Sequence, residues 1–358
     1  MADRSLDVAV IGAGIVGLAI ARELRGRGVR VAVFERSGIG AGASGVQPGG
    51  VRQQWGTPVA CRLARESAAF YAEADELLQA PVPLGFRACG YLFVAHTEAT
   101  LARLVANVSV QNGEGVPSRV VKPDEAAELV PGLRAEAIAG GAWCAEDGYF
   151  DRPQSVVEAF GRGLDIRIGA VDSLEPKLAD TVVAAAGAAT ADLLRPLGVE
   201  LPIEREDRFL FLSEPVPERL LEPLVVSAER RFAAKQLGDG RVLASDLGAR
   251  GDESQRETWR ANVRSGIEEL LPALAYVSFP VLVRGEYDVT PDHQPILGRV
   301  GDGLYVAAGF SGHGFMIAPA VARMVADAVT GAPPDETLGI LDVARFEENR
   351  LVPEPQLV

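Results

Sequence analysis

The sequence predicts an α/β fold in which a Rossmann-like dinucleotide-binding domain carries an inserted α+β substrate domain built on an antiparallel sheet. Three observations predict it. Residues 7–37, DVAVIGAGIVGLAIARELRGRGVRVAVFERS, read as strand, tight turn, helix and strand. Residues 181–186 are a short apolar run without alternation, the pattern of a parallel strand covered on both faces. Residues 81–140 and 202–285 change to short strands and turns, and the strands of the second stretch alternate as in an antiparallel sheet with one face covered.

In the first element, Val8 to Ile11 form an apolar strand, and Gly12, Gly14 and Gly17 follow at GxGxxG spacing. Gly12 makes the turn, Gly14 lets the backbone approach a pyrophosphate, and Gly17 lets the helix sit close on the strands. The helix N-terminus offers unpaired N–H groups and a positive dipole to phosphates. A second strand, Val29 to Phe34, ends on Glu35, 21 residues after Gly14, where a carboxylate accepts hydrogen bonds from ribose hydroxyls. A glycine-rich turn in an ordinary βαβ unit leaves Glu35 unexplained.

Arg36 opens a loop of small residues from Ser37 to Trp55, expected to lack regular structure and to put the Ser44 hydroxyl on a phosphate. An amphipathic helix over 58–78 leaves the nucleotide domain. Strands at 85–87 and 91–95, and helices over 98–111 and 122–129, begin the second domain. Residues 140–151 read as a turn-rich return, 152–163 as helix, and 165–168 as strand. The 181–186 strand turns at Gly187 into a helix, and its end opens on the crevice of the glycine loop. Strands at 208–212, 224–227 and 241–244 and a helix over 256–271 complete the inserted domain. Finally a strand over 304–308 breaks at Gly309, and a helix from Phe315 runs to Gly331, with Pro319 expected in its first turn. A second glycine-lined helix N-terminus thus lies far along the chain from the first, and one long dinucleotide can span both. The expected division is 1–78, 140–203 and 286–358 for the nucleotide domain, and 79–139 and 204–285 for the substrate domain.

The chain of 358 residues, 48% hydrophobic and 23% charged, has the composition of a globular protein with a large core. Its formal net charge of −14 argues against nucleic acid or anionic membrane as a partner, since both need a basic face. Three cysteines without a CxxC pair suggest neither a disulfide framework nor a metal site. No signal peptide or membrane span is read, and a cytoplasmic location is expected.

The segments VIGAGIVGLAIARELRGRGVRVAVFER, GASGVQPGGVRQQWGTP, GYLFVA, TVVAAAGA and TPDHQPILGRVGDGLYVAAGFSGHGFMIAPAVARMVAD together resemble, in order, the D-amino-acid oxidase type of FAD-dependent amine oxidoreductases. That group holds sarcosine oxidase, glycine oxidase and the β subunit of FAD-linked proline dehydrogenase. The resemblance implies that Ile11, Gly12, Gly14, Ile15, Val16, Gly17 and Glu35 hold the ADP half of FAD, with Arg36, Ala43 and Ser44 beside the ribose and phosphates. Gly49, Gly50, Val51 and Arg52 are implied along the flavin ring, Val171 at adenine, and Ala186 and Gly187 at the pyrophosphate. Gly309 and Ser311 lead to Gly312, His313, Gly314, Phe315 and Met316 at the pyrimidine edge, where a helix N-terminus stabilises the negative charge of reduced flavin. Sarcosine oxidase has a lysine where Met316 stands, and a FAD-bearing cysteine in the segment matching 286–292. With no cysteine there and no histidine over 42–50, non-covalent FAD is expected. Between Ile168 and Asp180 the chain is shorter than the family pattern, as though a small β-meander were trimmed.

The resemblance implies hydride transfer from the amine-bearing carbon of a small amino acid or amine to flavin N5, giving an imine that water hydrolyses. An amino-acid carboxylate calls for a bidentate arginine. Arg52 is the first candidate and Arg284 the second. Tyr287 is a candidate donor to the carboxylate, and His313 a flavin-edge or substrate contact. Lys235 is the only lysine in a strand read for the substrate domain; the resemblance implies a lysine near N5 that aids reaction with oxygen, and a solvated strand lysine is the other reading. The electron acceptor, oxygen or a partner protein or quinone, stays open. The proline dehydrogenase resemblance also allows a FAD-carrying subunit of a larger complex, or a homo-oligomer.

Overall fold

The computed structural model describes residues 6–171, 173–174, 178–333 and 335–355. Two large sheets organise them. The first has six strands in the order Ile296–Gly301, Leu304–Ala308, Thr181–Ala184, Val8–Ile11, Val31–Glu35, Asp165–Ile168. All neighbours are parallel except the pair Ile296–Gly301 and Leu304–Ala308. The apolar, branched residues of Val8–Ile11 are all buried, because helices cover one face of this sheet and further chain the other. Against it packs the helix Ile15–Gly26, which itself meets the long helix Gly314–Val329.

The second sheet has eight strands, in the order Val281–Val289, Glu204–Pro215, Arg241–Asp246, Phe232–Gln236, Leu224–Ser227, Tyr91–Ala95, Gly140–Cys144, Arg119–Val121. It is antiparallel except where Tyr91–Ala95 runs parallel to Leu224–Ser227, so the expected antiparallel sheet is in fact mixed at its centre. Helix Arg256–Leu270 covers its outer face through Trp259, Val263, Ile267 and Leu270.

Several expectations change. Residues 140–151 are not mainly turn: Gly140–Cys144 joins the eight-stranded sheet, and Gly148–Phe150 is the middle strand of a small sheet with Gly50–Val51 and Phe86–Arg87. The loop after Arg36 likewise contains the short helix Ala43–Val46 and the strand Gly50–Val51. Partners for both stretches come from far along the chain, which local pattern does not reveal. Among the described residues no strand lies between Asp165–Ile168 and Thr181–Ala184; residues 172 and 175–177 of that shortened stretch lie outside them.

Pro319 stands inside the helix Gly314–Val329 rather than in its first turn. It cannot donate to the Phe315 carbonyl. The Tyr71 hydroxyl donates to that carbonyl instead, at 2.5 Å, and the Ala320 N–H donates to Ser67 Oγ at 3.2 Å. Both partners lie on the neighbouring helix Pro58–Ala72. Among the described residues no helix is long and apolar enough to cross a membrane.

Candidate active site

A cavity of about 620 Å³ runs between the two sheets. The six-stranded sheet contributes Ile11, Phe34, Glu35, Ala185 and Ala307, at or just beyond the carboxyl ends of its parallel strands. That is the crevice where open α/β sheets take ligands. The eight-stranded sheet contributes Tyr91, Leu224, Val226, Lys235, Leu243 and Tyr287.

At the glycine-loop end, the backbone leaves no room for side chains. Gly12 has φ +108°, and a Cβ there would meet the Ala185 carbonyl oxygen at 2.4 Å. Gly17 faces Gly12 in the same way, so it is a packing glycine behind the cavity rather than part of its lining. The Glu35 carboxylate accepts the Ala13 and Ser37 N–H groups, each at 2.8 Å, which fixes it at the cavity mouth. Ser44 Oγ accepts the Ile15 N–H at 3.0 Å, tying the small-residue loop to the helix N-terminus. Gly14, Ile15, Val16, Arg36, Ala43, Val171, Ala186 and Gly187 all line this end.

At the other end, the guanidinium of Arg52 lies on the Trp55 ring, 3.7 Å from its centroid. Arg52 Nη1 donates to the Gln54 carbonyl at 2.8 Å, and the side chain is buried. Burial lowers its pKa, while Glu354 gives the largest opposing charge, ahead of Tyr91 and Asp147. His313 meets Trp55 edge-on at 4.4 Å between ring centroids. Burial first, then Arg52, His293 and Arg208, hold this imidazole well below its usual pKa, so it is neutral at pH 7. Tyr287 packs on Gly312, whose φ is +87° and whose Cβ would lie 2.2 Å from the ring. Burial raises the Tyr287 phenol. Gly312, His313, Gly314, Phe315 and Met316 bring the start of the long helix to the cavity wall.

Lys235 is fully buried in the strand Phe232–Gln236. Its Nζ donates to the Pro48 carbonyl and sits 4.0 Å from the Tyr149 ring centroid. Burial pulls its pKa down to about 7.

Among the expected residues, Arg52, Lys235, Tyr287 and His313 share this cavity. Arg284 does not. Along Val281–Val289, Val283, Gly285, Glu286, Tyr287 and Asp288 line the cavity and Arg284 does not. It is mostly exposed and pairs with Asp207 at 2.9 Å. Gly49, Val51, Gly309 and Ser311 also stand behind the lining. Gly49 and Gly309 hold positive-φ turns, and the Gly309 N–H donates to Asp288 Oδ2 at 2.8 Å. Burial raises the Asp288 carboxyl to about 6.

The structure adds residues that sequence reading missed. Arg208 lines the cavity, 5.4 Å from the Tyr287 ring, with Nη2 paired to Glu206 at 2.9 Å and Nη1 donating to the Leu247 carbonyl at 3.1 Å. It stands on Glu204–Pro215 beside Phe209 and Leu210, which also line the cavity, and no sequence motif marks it. Tyr91 also lines the cavity, its hydroxyl reaching over Gly50.

The chain belongs to the FAD dependent oxidoreductase (DAO) family, whose sequence pattern matches residues 7–328. It is an FAD-dependent oxidoreductase, and its relatives include enzymes named as oxidases and dehydrogenases of amino acids and amines. It is 25% identical over 374 residues to 4-methylaminobutanoate oxidase (formaldehyde-forming) of Paenarthrobacter nicotinovorans, covering 94% of this chain and only 45% of that protein. It is 28% identical over 353 residues to glycine oxidase of Geobacillus kaustophilus (strain HTA426), covering 90% of this chain and 92% of that one. Among solved structures, L-proline dehydrogenase from P. horikoshii superimposes with a TM-score of 0.89 at 27% identity, over 98% of this chain and 100% of that one.

Proposed function

We propose that this chain oxidises the C–N bond of a small amino acid or amine of the sarcosine, glycine or proline kind, with its FAD held non-covalently. The observation that carries the reading is one continuous cavity. It joins the glycine loop, Glu35 and the Ala186–Gly187 turn to the group Arg52, His313, Tyr287 and Lys235. The donor set suits the cofactor: a glycine turn that no Cβ can enter, a carboxylate fixed at a strand end, and a second helix N-terminus at the far wall. FAD, when bound, supplies the hydride acceptor. The substrate loses hydride from the carbon bearing nitrogen and a proton from the nitrogen, and water then hydrolyses the imine.

The chain's own residues have little acid–base work to do; they position the substrate and exclude water. Arg52 receives the carboxylate as a charge-assisted hydrogen-bond donor in a buried wall. Neutral His313 adds no second positive charge beside the amine. Met316 adds no cation at the helix start. Tyr287 closes the wall opposite Gly312. We propose the same two domains, nucleotide-binding and substrate, for this chain; Gly140–Cys144 and residues 286–289 pair within the larger sheet.

The names of the relatives support this substrate class, glycine oxidase and L-proline dehydrogenase above all. The test is chemical. The purified protein should release free flavin on acid denaturation. With its substrate it should yield a carbonyl product, with ammonia or an amine released from an open-chain substrate and retained in the ring-opened product of a cyclic one. Flavin that stays on the precipitated chain would contradict the non-covalent assignment.

A further inference from the structure

The segment carrying Arg52 is held by two buried carboxylates from distant parts of the chain. Asp147 Oδ1 accepts the Gln53 N–H at 2.8 Å, and Oδ2 accepts Gln54 Nε2 at 3.1 Å. Glu354 Oε1 accepts the Gly56 N–H at 2.7 Å, and Oε2 accepts the Thr57 hydroxyl at 2.9 Å. Between these anchors, Trp55 Nε1 donates to the Arg52 carbonyl at 3.1 Å, and Gln111 Nε2 donates to the Trp55 carbonyl at 2.9 Å. The turn is therefore closed on itself and pinned at both ends.

Glu354 is itself fixed. Its N–H donates to the Asp292 carbonyl at 3.2 Å, and the Val352 N–H donates to Asp292 Oδ2 at 3.3 Å. Asp292 pairs with Arg345 through two bonds of 2.8 and 3.0 Å, both side chains being fully buried. Gln294 Nε2 closes the circuit by donating to Thr57 Oγ1 at 3.2 Å. A Cβ on Gly56 would meet Pro355 Cγ at 2.3 Å, so the tail lies directly on the turn. A carboxylate buried to 4% exposure is costly unless it is hydrogen-bonded to groups that need it.

We infer that Glu354 is a positioning residue for substrate binding: by holding Gly56 and Thr57 it fixes the Arg52–Thr57 turn and keeps the Arg52 guanidinium at the cavity wall. This rests on the reading that Arg52 receives the substrate carboxylate. Glu354 lies behind the wall and lines no part of the cavity. Its charge also opposes the desolvation of Arg52.

The test uses the FAD-loaded protein with Glu354→Ala and Glu354→Gln. The glutamine keeps one oxygen acceptor for Gly56 and can donate to Thr57, so it separates charge from geometry. Amide hydrogen exchange over residues 52–57 reads the turn without any substrate. Glu354→Ala should speed exchange there about tenfold or more, with Glu354→Gln in between. In steady-state kinetics KM should rise about tenfold in Glu354→Ala, with kcat within about twofold of the parent and the flavin spectrum unchanged. If Glu354→Ala does not fold, Glu354→Gln should show both effects in smaller measure. Unchanged exchange over 52–57 would overturn the inference whatever the substrate is. So would an unchanged KM in Glu354→Ala when Arg52→Ala raises it. If Arg52→Ala itself leaves KM unaltered, the carboxylate reading fails, and with it the role of Glu354 in binding.

Discussion

The Arg52 guanidinium carbon sits over the Trp55 ring, 3.7 Å from its centroid, and Trp55 in turn meets His313 edge-on at 4.4 Å. This contact and the bond to the Gln54 carbonyl hold the guanidinium in place at the wall. Lysine keeps the charge but neither stacks in the same way nor offers a fork. Arg52→Lys should therefore raise KM about 10- to 100-fold, or about 1.4–2.7 kcal/mol, with a smaller change in kcat. Steady-state kinetics on the amino acid that reduces the flavin checks this. An unaltered KM would move the carboxylate role to Arg208.

Gly12→Ala should abolish FAD retention, since the new methyl would collide with the Ala185 carbonyl at a φ of +108°. Gly28→Ala is the control: φ is +80°, nothing lies within 4 Å, and the residue is remote from the cavity. It should cost about 1–2 kcal/mol of stability from backbone strain alone and keep its flavin. The flavin-to-protein absorbance ratio of the two purified variants, with circular dichroism to confirm folding, reads the difference.

Lys235 predicts a pH dependence. Its folded-state pKa, about 7, is depressed from 10.5, so the folded state binds the proton less well than the unfolded chain. The associated stability is fully present above about pH 10.5 and is lost as pH falls through 7. Replacement with methionine removes this dependence. Lys235→Met should gain in melting temperature over the parent more at pH 6 than at pH 10, by several degrees. In the oxidase reading, the same variant should also reoxidise its reduced flavin more slowly in air. A difference in melting temperature that does not vary with pH would contradict the buried, titrating lysine.

Tyr71→Phe isolates one bond. The ring, stacked on Phe315 at 5.4 Å between centroids, is kept, but the Phe315 carbonyl freed by Pro319 loses its donor. The expected loss is about 1–3 kcal/mol, measured by denaturant unfolding with the m-value unchanged.

What the sequence made legible was local. The turn at Gly12 to Gly17 and the acid at Glu35 are dictated by backbone conformation and strand length, so position alone identifies them. Lys235 was a candidate as the only lysine read in a substrate-domain strand, with a solvated lysine as the other reading, and its burial is tertiary. Arg284 was misplaced because its exposed pair with Asp207 arises only when Val281–Val289 pairs with the distant strand Glu204–Pro215. The strand Gly140–Cys144 was hidden for a related reason: its glycines and small residues read as turn until Tyr91–Ala95 and Arg119–Val121 flank it. Asp147 and Glu354 belong to no motif of the sequence, and tertiary packing alone buries them against the Arg52 turn.

The most direct test of the central claim is anaerobic mixing of the purified protein with a panel of amino acids: sarcosine, glycine, both enantiomers of proline, and further D- and L-amino acids. The visible absorbance of the flavin is followed throughout. Bleaching of the oxidised band by at least one member is the predicted result. A yellow protein that no member of the panel reduces would contradict the assignment to amino-acid oxidation.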